Sequence, residues 1–283
     1  MKKLVLSAII ALTAMSVMAA DYPKAQIAAV YVYKYLTRHA DGHDMENTDN
    51  MMLLASPSAS RFFSINKEQY DSLMATPGGK KKYNLMLREA MKDAVVREND
   101  RVTIDMTRAK IPLEGSSIQV VRKPGEDTLE VYGSISDEDY IYPVAMSDLV
   151  WEIGDSVRTI LGYECQQAVA DYHGRRWTAW FAPDVPVASG PWQLMGLPGL
   201  IMEAGCDGGE YSFTITGLEA TDRPITPRPG TRDLFKTTRK QFLAEKRDRQ
   251  LNPEKYMPGL TIANRAEATK ARMAHDLIET DYR

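Results

Sequence analysis

Three features of the sequence predict an α+β fold built on a mainly antiparallel, curved β-sheet. Short runs of alternating apolar and polar residues recur over 26–65 and again over 117–218, and most are joined by connections of hairpin length. Between the two blocks, residues 66–96 change to a helical period. Beyond 218 the chain turns polar and proline-rich and then regains helix-capping signals. A sheet curved into a half-barrel, with helices on one face or edge and a helical C-terminal tail, accommodates all three.

Residues 1–20 stand apart from this plan. Met1-Lys2-Lys3 is a short positive start, an apolar run follows over 4–17, and small residues gather around Ala19 and Ala20. That run is shorter than the ~20 residues of a membrane span and has the layout of a secretory signal cut near Ala19. The expected product is exported, periplasmic or beyond, and soluble, with no cysteine placed to accept a lipid anchor and no second long apolar run. Lys2 and Lys3 leave with the signal, so the 35 basic and 38 acidic residues become 33 and 38. A mildly acidic balance argues against non-specific nucleic-acid binding, which needs concentrated positive charge. Residues 21–220 are expected as one β-rich domain with a helical insertion at about 66–96, and 221–283 as a proline-rich linker and helical tail.

In chain order, residues 26–36 read as a first strand with Ile27, Ala29, Tyr31, Tyr33 and Tyr35 on one side, and two short strands follow over 48–54 and 60–65. The loop between the first two holds His39, His43 and Met45. Imidazole and thioether groups gathered there suit copper or zinc, although Asp41-Gly42 is equally a turn signal in a solvated loop. Asn66 and Gln69 form a capping pair for a helix that Thr76-Pro77-Gly78-Gly79 ends, and a second helix starts near Lys80 with Tyr83, Leu87, Ala90 and Ala94 as its stripe. Strands resume over 117–122 and 128–135 around a Pro124-Gly125 turn, then near 140–142, 151–153, 157–162 and 163–171. His173-Gly174 turns the chain into 175–181, where alternation puts Trp177 on one face and Trp180 on the other. Among Trp177, Trp180 and Trp192, one should therefore fill the core while another could line a ligand groove or a partner surface; the plainer alternative is that both faces are covered, one by sheet curvature and the other by helices.

Residues 183–191 hold three prolines and cannot be central strand. Pro198-Gly199 then suits a type II turn that reverses the chain into a strand from Leu200, followed by another over 210–218. The two cysteines, Cys165 and Cys206, form either a disulfide, favoured by an oxidising compartment and an even count, or two separately buried thiols. In the tail, Thr238 with Gln241 makes a capping box for a helix reaching Gln250, and Asn264 with Glu267 caps a last, loosely packed helix to Ile278.

Trp151-Glu152-Ile153, the run from Ile160 through Gly162, Tyr163 and Cys165 to Ala168, then Gly174-Arg175, Ala179-Trp180-Phe181, Val185-Pro186, Gly190-Pro191 and Gly196-Leu197-Pro198-Gly199-Leu200-Ile201 together resemble the signature of the GLPGLI family. That resemblance, over about a quarter of the chain, implies an exported envelope protein of unestablished biochemical role. Pro143 follows Tyr142 where the family usually keeps an acidic residue, and Cys206 lies outside the family pattern. The layout is also similar to the half-barrels of periplasmic lipoprotein carriers, an analogy that transfers no function.

No Gly-x-Ser-x-Gly elbow, Cys-x-x-Cys, His-Glu-x-x-His or phosphate loop occurs. His173, beside Asp171 and Arg175, reads as a polar hairpin tip, and no cofactor is implied. The reading that follows is a non-enzymatic binding, carrier or partner module for an apolar ligand, a peptide or an outer-membrane protein. The alternative is an envelope hydrolase or a copper- or zinc-binding protein.

Overall fold

The computed structural model describes residues 23–38, 42–92, 94–98, 101–104, 114–136, 138–227, 233–256 and 265–282. The predicted signal segment, His39 and Asn264 lie outside them. The first strands are β1 (Ile27–Arg38), β2 (Asp44–Ala55) and β3 (Ser60–Ser64). Two helices follow, α1 (Ile65–Met74) and α2 (Pro77–Lys92), then a separate hairpin of β4 (Val95–Glu98) and β5 (Arg101–Ile104). The meander continues through β6 (Gln119–Arg122), β7 (Thr128–Ile135), β8 (Glu138–Ala145), β9 (Glu152–Ile160), β10 (Tyr163–Tyr172) and β11 (Arg175–Ala182). It ends with β12 (Leu200–Cys206), β13 (Tyr211–Ala220) and the short β14 (Leu234–Lys236). The last helices are α3 (Arg239–Leu251), α4 (Pro253–Tyr256) and α5 (Arg265–Met273).

Twelve strands form one open sheet in the order β14-β8-β7-β6-β3-β2-β1-β13-β12-β11-β10-β9. Its pairings are antiparallel except β14 on β8. The predicted mainly antiparallel, curved sheet is thus what forms. Register breaks at Val30/Tyr31, Gln166/Ala168 and Trp180/Phe181 add local twist, as bulges do. Inward-facing Tyr31, Tyr33, Met51, Leu53, Phe62, Val131, Trp177 and Phe213 make the main core. A smaller cluster around Leu54 and Phe63 sits on the other face of β2 and β3, where Ile225 packs onto it.

Local chemistry shifts several expected boundaries. Helix α1 starts earlier than Asn66 because the Ser64 hydroxyl accepts from the Lys67 amide at 3.0 Å, and Asn66 instead bonds Asp49. Helix α2 starts at Pro77, a proline suited to a first helical position, with Thr76 Oγ1 accepting from the Gly79 amide at 3.0 Å. The Thr238–Gln241 capping box forms as predicted at the start of α3. Helix α5, in contrast, stops at Met273, and the chain beyond it enters the core: Leu277, Ile278 and Tyr282 are all buried. The tail is therefore packed where the sequence suggested a loose end, because its apolar side chains find their partners only on distant strands.

The disulfide alternative is not realised: both cysteines are free and buried. The sheet register explains why. Cys206 stands opposite Trp177 on β11, while Cys165 lies next to Gln166, which pairs with Phe181 on that same strand. Two strand spacings and roughly five residues along the strand separate them, on the order of 18 Å between Cα atoms. A bridge needs about 7 Å or less.

Candidate functional site

The curved sheet is filled differently at its two ends. Beneath β10–β13, residues 183–199 fold inward as a buried loop whose Leu194 and Leu197 are shielded from solvent with Leu200 and Ile201. Its backbone groups are satisfied locally, with Leu200 N donating to Val185 O at 3.0 Å and Ile201 N to Ser189 O at 3.0 Å. The fully buried Tyr31 donates its hydroxyl to Ile201 O at 2.7 Å, tying β1 to the loop's exit. Trp151 Nε1 reaches Met195 O at 2.8 Å from the other side.

The turn itself is tighter than the predicted type II form. Gly199 N donates to Leu197 O at 2.8 Å, a three-residue turn centred on Pro198, and Gly199 has a φ of 159°, close to extended. Glycine is required there for proximity, since a Cβ would lie 2.2 Å from Ala182 O.

Beneath β1, β2, β7 and β8 the interior is hollow. A cavity of about 440 Å³ opens there, with helix α3 and residues 277–279 forming part of its wall. Tyr33, Tyr35, Tyr142, Tyr211 and Trp192 contribute aromatic surface, and Phe242 and Leu243 of α3 face them. Interiors otherwise pack to crystal-like density, so a space of this size in contact with solvent falls in the range of ligand pockets. Burial raises the pKa of Tyr33 and of Tyr35, so both phenols stay neutral, and neither hydroxyl has a hydrogen-bond partner among the described residues.

The charged groups on this wall are unevenly committed. Asp49 accepts from Asn66 Nδ2 at 2.8 Å and from the Ser116 amide at 2.6 Å. Glu114 accepts from the Tyr83 hydroxyl at 2.9 Å. Glu279, 1% exposed, takes Arg239 at 2.8 Å and Gln193 Nε2 at 3.1 Å. Lys246 has no hydrogen bond or ion pair among the described residues; its ammonium lies 5.7 Å from the Phe242 ring centroid. Burial lowers its pKa, and the charge of Glu279 works in the opposite direction.

The three tryptophans of the predicted groove separate. Trp177 is fully buried and stands 5.4 Å from Trp192, which lines the cavity, while Trp180 lies outside under the Arg158 guanidinium at 4.2 Å. Arg175 binds Glu210 and donates to Leu277 O and Ile278 O at 2.8 and 2.9 Å, holding the tail against the rim. Gly174 has left-handed backbone, and a Cβ there would meet Thr280 Oγ1 at 2.2 Å. Tyr163 is partly buried beside the core, Gly162 takes the left-handed conformation before β10, Pro186 and Pro191 shape the loop, and Gly190 sits under Ile201. His43 and Met45 are exposed at the start of β2, and among the described residues no group of three or more His, Cys, Asp or Glu is placed to hold a metal.

Two ionic clusters, one around the buried His173 and one partly exposed around His275, escaped the sequence reading. His173 is not a solvated hairpin tip: it is buried with φ of 51°, its Nε2 3.1 Å from Gln193 Oε1 and its Nδ1 3.4 Å from Asp281. Arg239 also binds Asp281 in bidentate fashion at 2.7 and 2.8 Å. In the second cluster, His275 lies between Glu210 at 2.9 Å and Asp44 at 2.8 Å. Burial opposes its charged form, but the two carboxylates outweigh it and raise its pKa. The residues of each cluster come from separate parts of the chain, so no local pattern announces them.

The sequence profile of Porph_ging, a protein family of unknown function, matches residues 173–203, which run from the hairpin tip through the buried loop into β12. A comparison with curated protein sequences finds no match. Among solved structures, PNGF-II in its P21 crystal form is similar with a TM-score of 0.47 and 10% identity over 78% of this chain and 33% of that one. MucB in complex with MucA(peri) gives 0.32 and 11% over 73% and 55%. The chain thus spans about a third of the length of PNGF-II, and likenesses of this size assign no activity. No helix among the described residues is long and apolar enough to cross a membrane.

Proposed function

We propose that this is an exported, GLPGLI-type envelope protein that acts as a non-enzymatic binding module, holding a small ligand with an apolar body in the cavity under β1, β2, β7 and β8. The carrying observation is the cavity itself, about 440 Å³ of aromatic-lined space inside a sheet whose other end is tightly filled. The space is open to solvent and its wall mixes aromatic with polar side chains, as ligand pockets do. The Tyr33 and Tyr35 hydroxyls, without hydrogen-bond partners among the described residues, supply polar groups that can orient a ligand in such a pocket. Residues 1–20 support export, and the buried loop that ends at Ile201 serves as the structural plug opposite the pocket.

The test is titration of the purified protein with the neutral fluorophore N-phenyl-1-naphthylamine. Saturable one-to-one enhancement is expected, and Ile118→Trp, which adds bulk to the cavity wall, should weaken it about tenfold or more. An absence of saturable binding to the wild-type protein would sink the reading.

A further inference from the structure

We infer that the occupant of this cavity is a small amphipathic carboxylate, its head anchored by Lys246 and its apolar body lying among Trp192, Ile118 and Ile278. The inference rests on the binding reading and adds the charge of the ligand. An ammonium kept from bulk water without a counter-charge is unfavourable, and lysine normally extends its head to solvent. Here Lys246 is half-buried on the cavity wall, its ammonium within cation–π range of Phe242 and without a hydrogen bond or ion pair among the described residues. The three carboxylates of the same wall are already engaged: Asp49 by Asn66 and Ser116, Glu114 by Tyr83, and Glu279 by Arg239 and Gln193. Lys246 is therefore the uncommitted charge on this wall among the described residues, with the Tyr33 and Tyr35 hydroxyls among its uncommitted neutral groups.

That inventory selects the head group. A single lysine balances one negative charge, and the phenols can donate to further lone pairs of the same group. A dianionic phosphate would bring a second charge toward a wall that already carries Asp49, Glu114 and Glu279, whereas a carboxylate brings one. A cationic amphiphile would meet Lys246 itself. The aromatic walls accept either an alkyl or an aryl body, so the head decides the preference.

The experiment compares 2-naphthoate with 2-naphthalenemethanol, a pair alike in body and different in charge, by isothermal titration calorimetry. The acid should bind the wild-type protein about tenfold tighter, the scale of one charge-assisted hydrogen bond. Lys246→Met should bring the ratio to about one while leaving the affinity for the alcohol intact, and Lys246→Arg should retain the preference. Retained alcohol binding in Lys246→Met shows that the variant is folded. Equal binding of acid and alcohol to the wild-type protein, or a ratio unchanged by Lys246→Met, overturns the carboxylate assignment and leaves the cavity reading standing. Failure of both compounds and of the neutral fluorophore removes the cavity reading, and this inference with it.

Discussion

The end of the sheet beneath β10–β13 and the end beneath β1, β2, β7 and β8 share one layer of strands but differ in what lies under it. At the first, the chain folds its own loop into the concavity, and Trp177, Leu194, Leu197, Leu200 and Ile201 leave almost no surface to solvent. At the second, α3 and the C-terminal residues approach without closing the space, and about 440 Å³ stays open. The most recognisable part of the sequence thus builds the solid end, while the ligand-sized space is lined mostly by residues outside it, Trp192 excepted. A motif can be distinctive because its packing is exacting, and chemistry need not reside in it.

The sharpest way to break the comparison is at the solid end. Gly199→Ala places a methyl group against the Ala182 carbonyl, with backbone on both sides of the contact. A loss of about 4 kcal/mol in guanidinium unfolding is expected, at the upper end for overpacking a rigid site. A loss below about 1 kcal/mol would show that the loop yields and that the two ends are less different than they look.

Leu277→Ala tests the wall of the hollow end. Leu277 is buried and lines the cavity, so truncation should cost about 2–3 kcal/mol, toward the low side for a core leucine because the site already borders open space. The same variant should weaken fluorophore binding. Unchanged stability would mean that the tail is not part of the core.

The smallest effect expected is pH-dependent and lies at the rim. His275 has a raised pKa, so its contribution is complete below 6.5, the ordinary imidazole value, and is lost as pH rises through the folded-state pKa. Glu210 and Asp44, whose pKa values are lowered from 4.5 and 3.8, contribute above those values and lose their effect on acidification. Arg175 beside Glu210 and Arg38 beside Asp44 favour the ionised form of both carboxylates, the form that attracts the imidazolium. The stability difference between wild type and His275→Gln should therefore be largest near about pH 5.5 and shrink toward about pH 9. A difference constant across that range would remove His275 as a charged latch.

Much of the frame was legible in order along the chain. Alternation placed Trp177 and Trp180 on opposite faces of β11, the Pro124-Gly125 turn joined β6 to β7, and Thr238 with Gln241 opened α3. Local signals also misled where a nearer partner existed, as when Ser64 rather than Asn66 capped α1. The three-residue strand β14 carried too little pattern to be seen.

What the sequence determined by itself was therefore everything set by neighbours a few positions apart: period, turns, caps and the loop-to-strand entry at Pro198-Gly199. What only the tertiary structure decided was the meeting of residues far apart in the chain, such as Gln193 and Tyr142 with Glu279, 86 and 137 positions away. The separation of the cysteines and the lack of an ion-pair partner for Lys246 among the described residues belong to the same class. The physical reason is that propensity and periodicity act through short-range sterics and hydrogen bonds, whereas a cavity is defined by side chains that the curved sheet brings near and leaves unfilled.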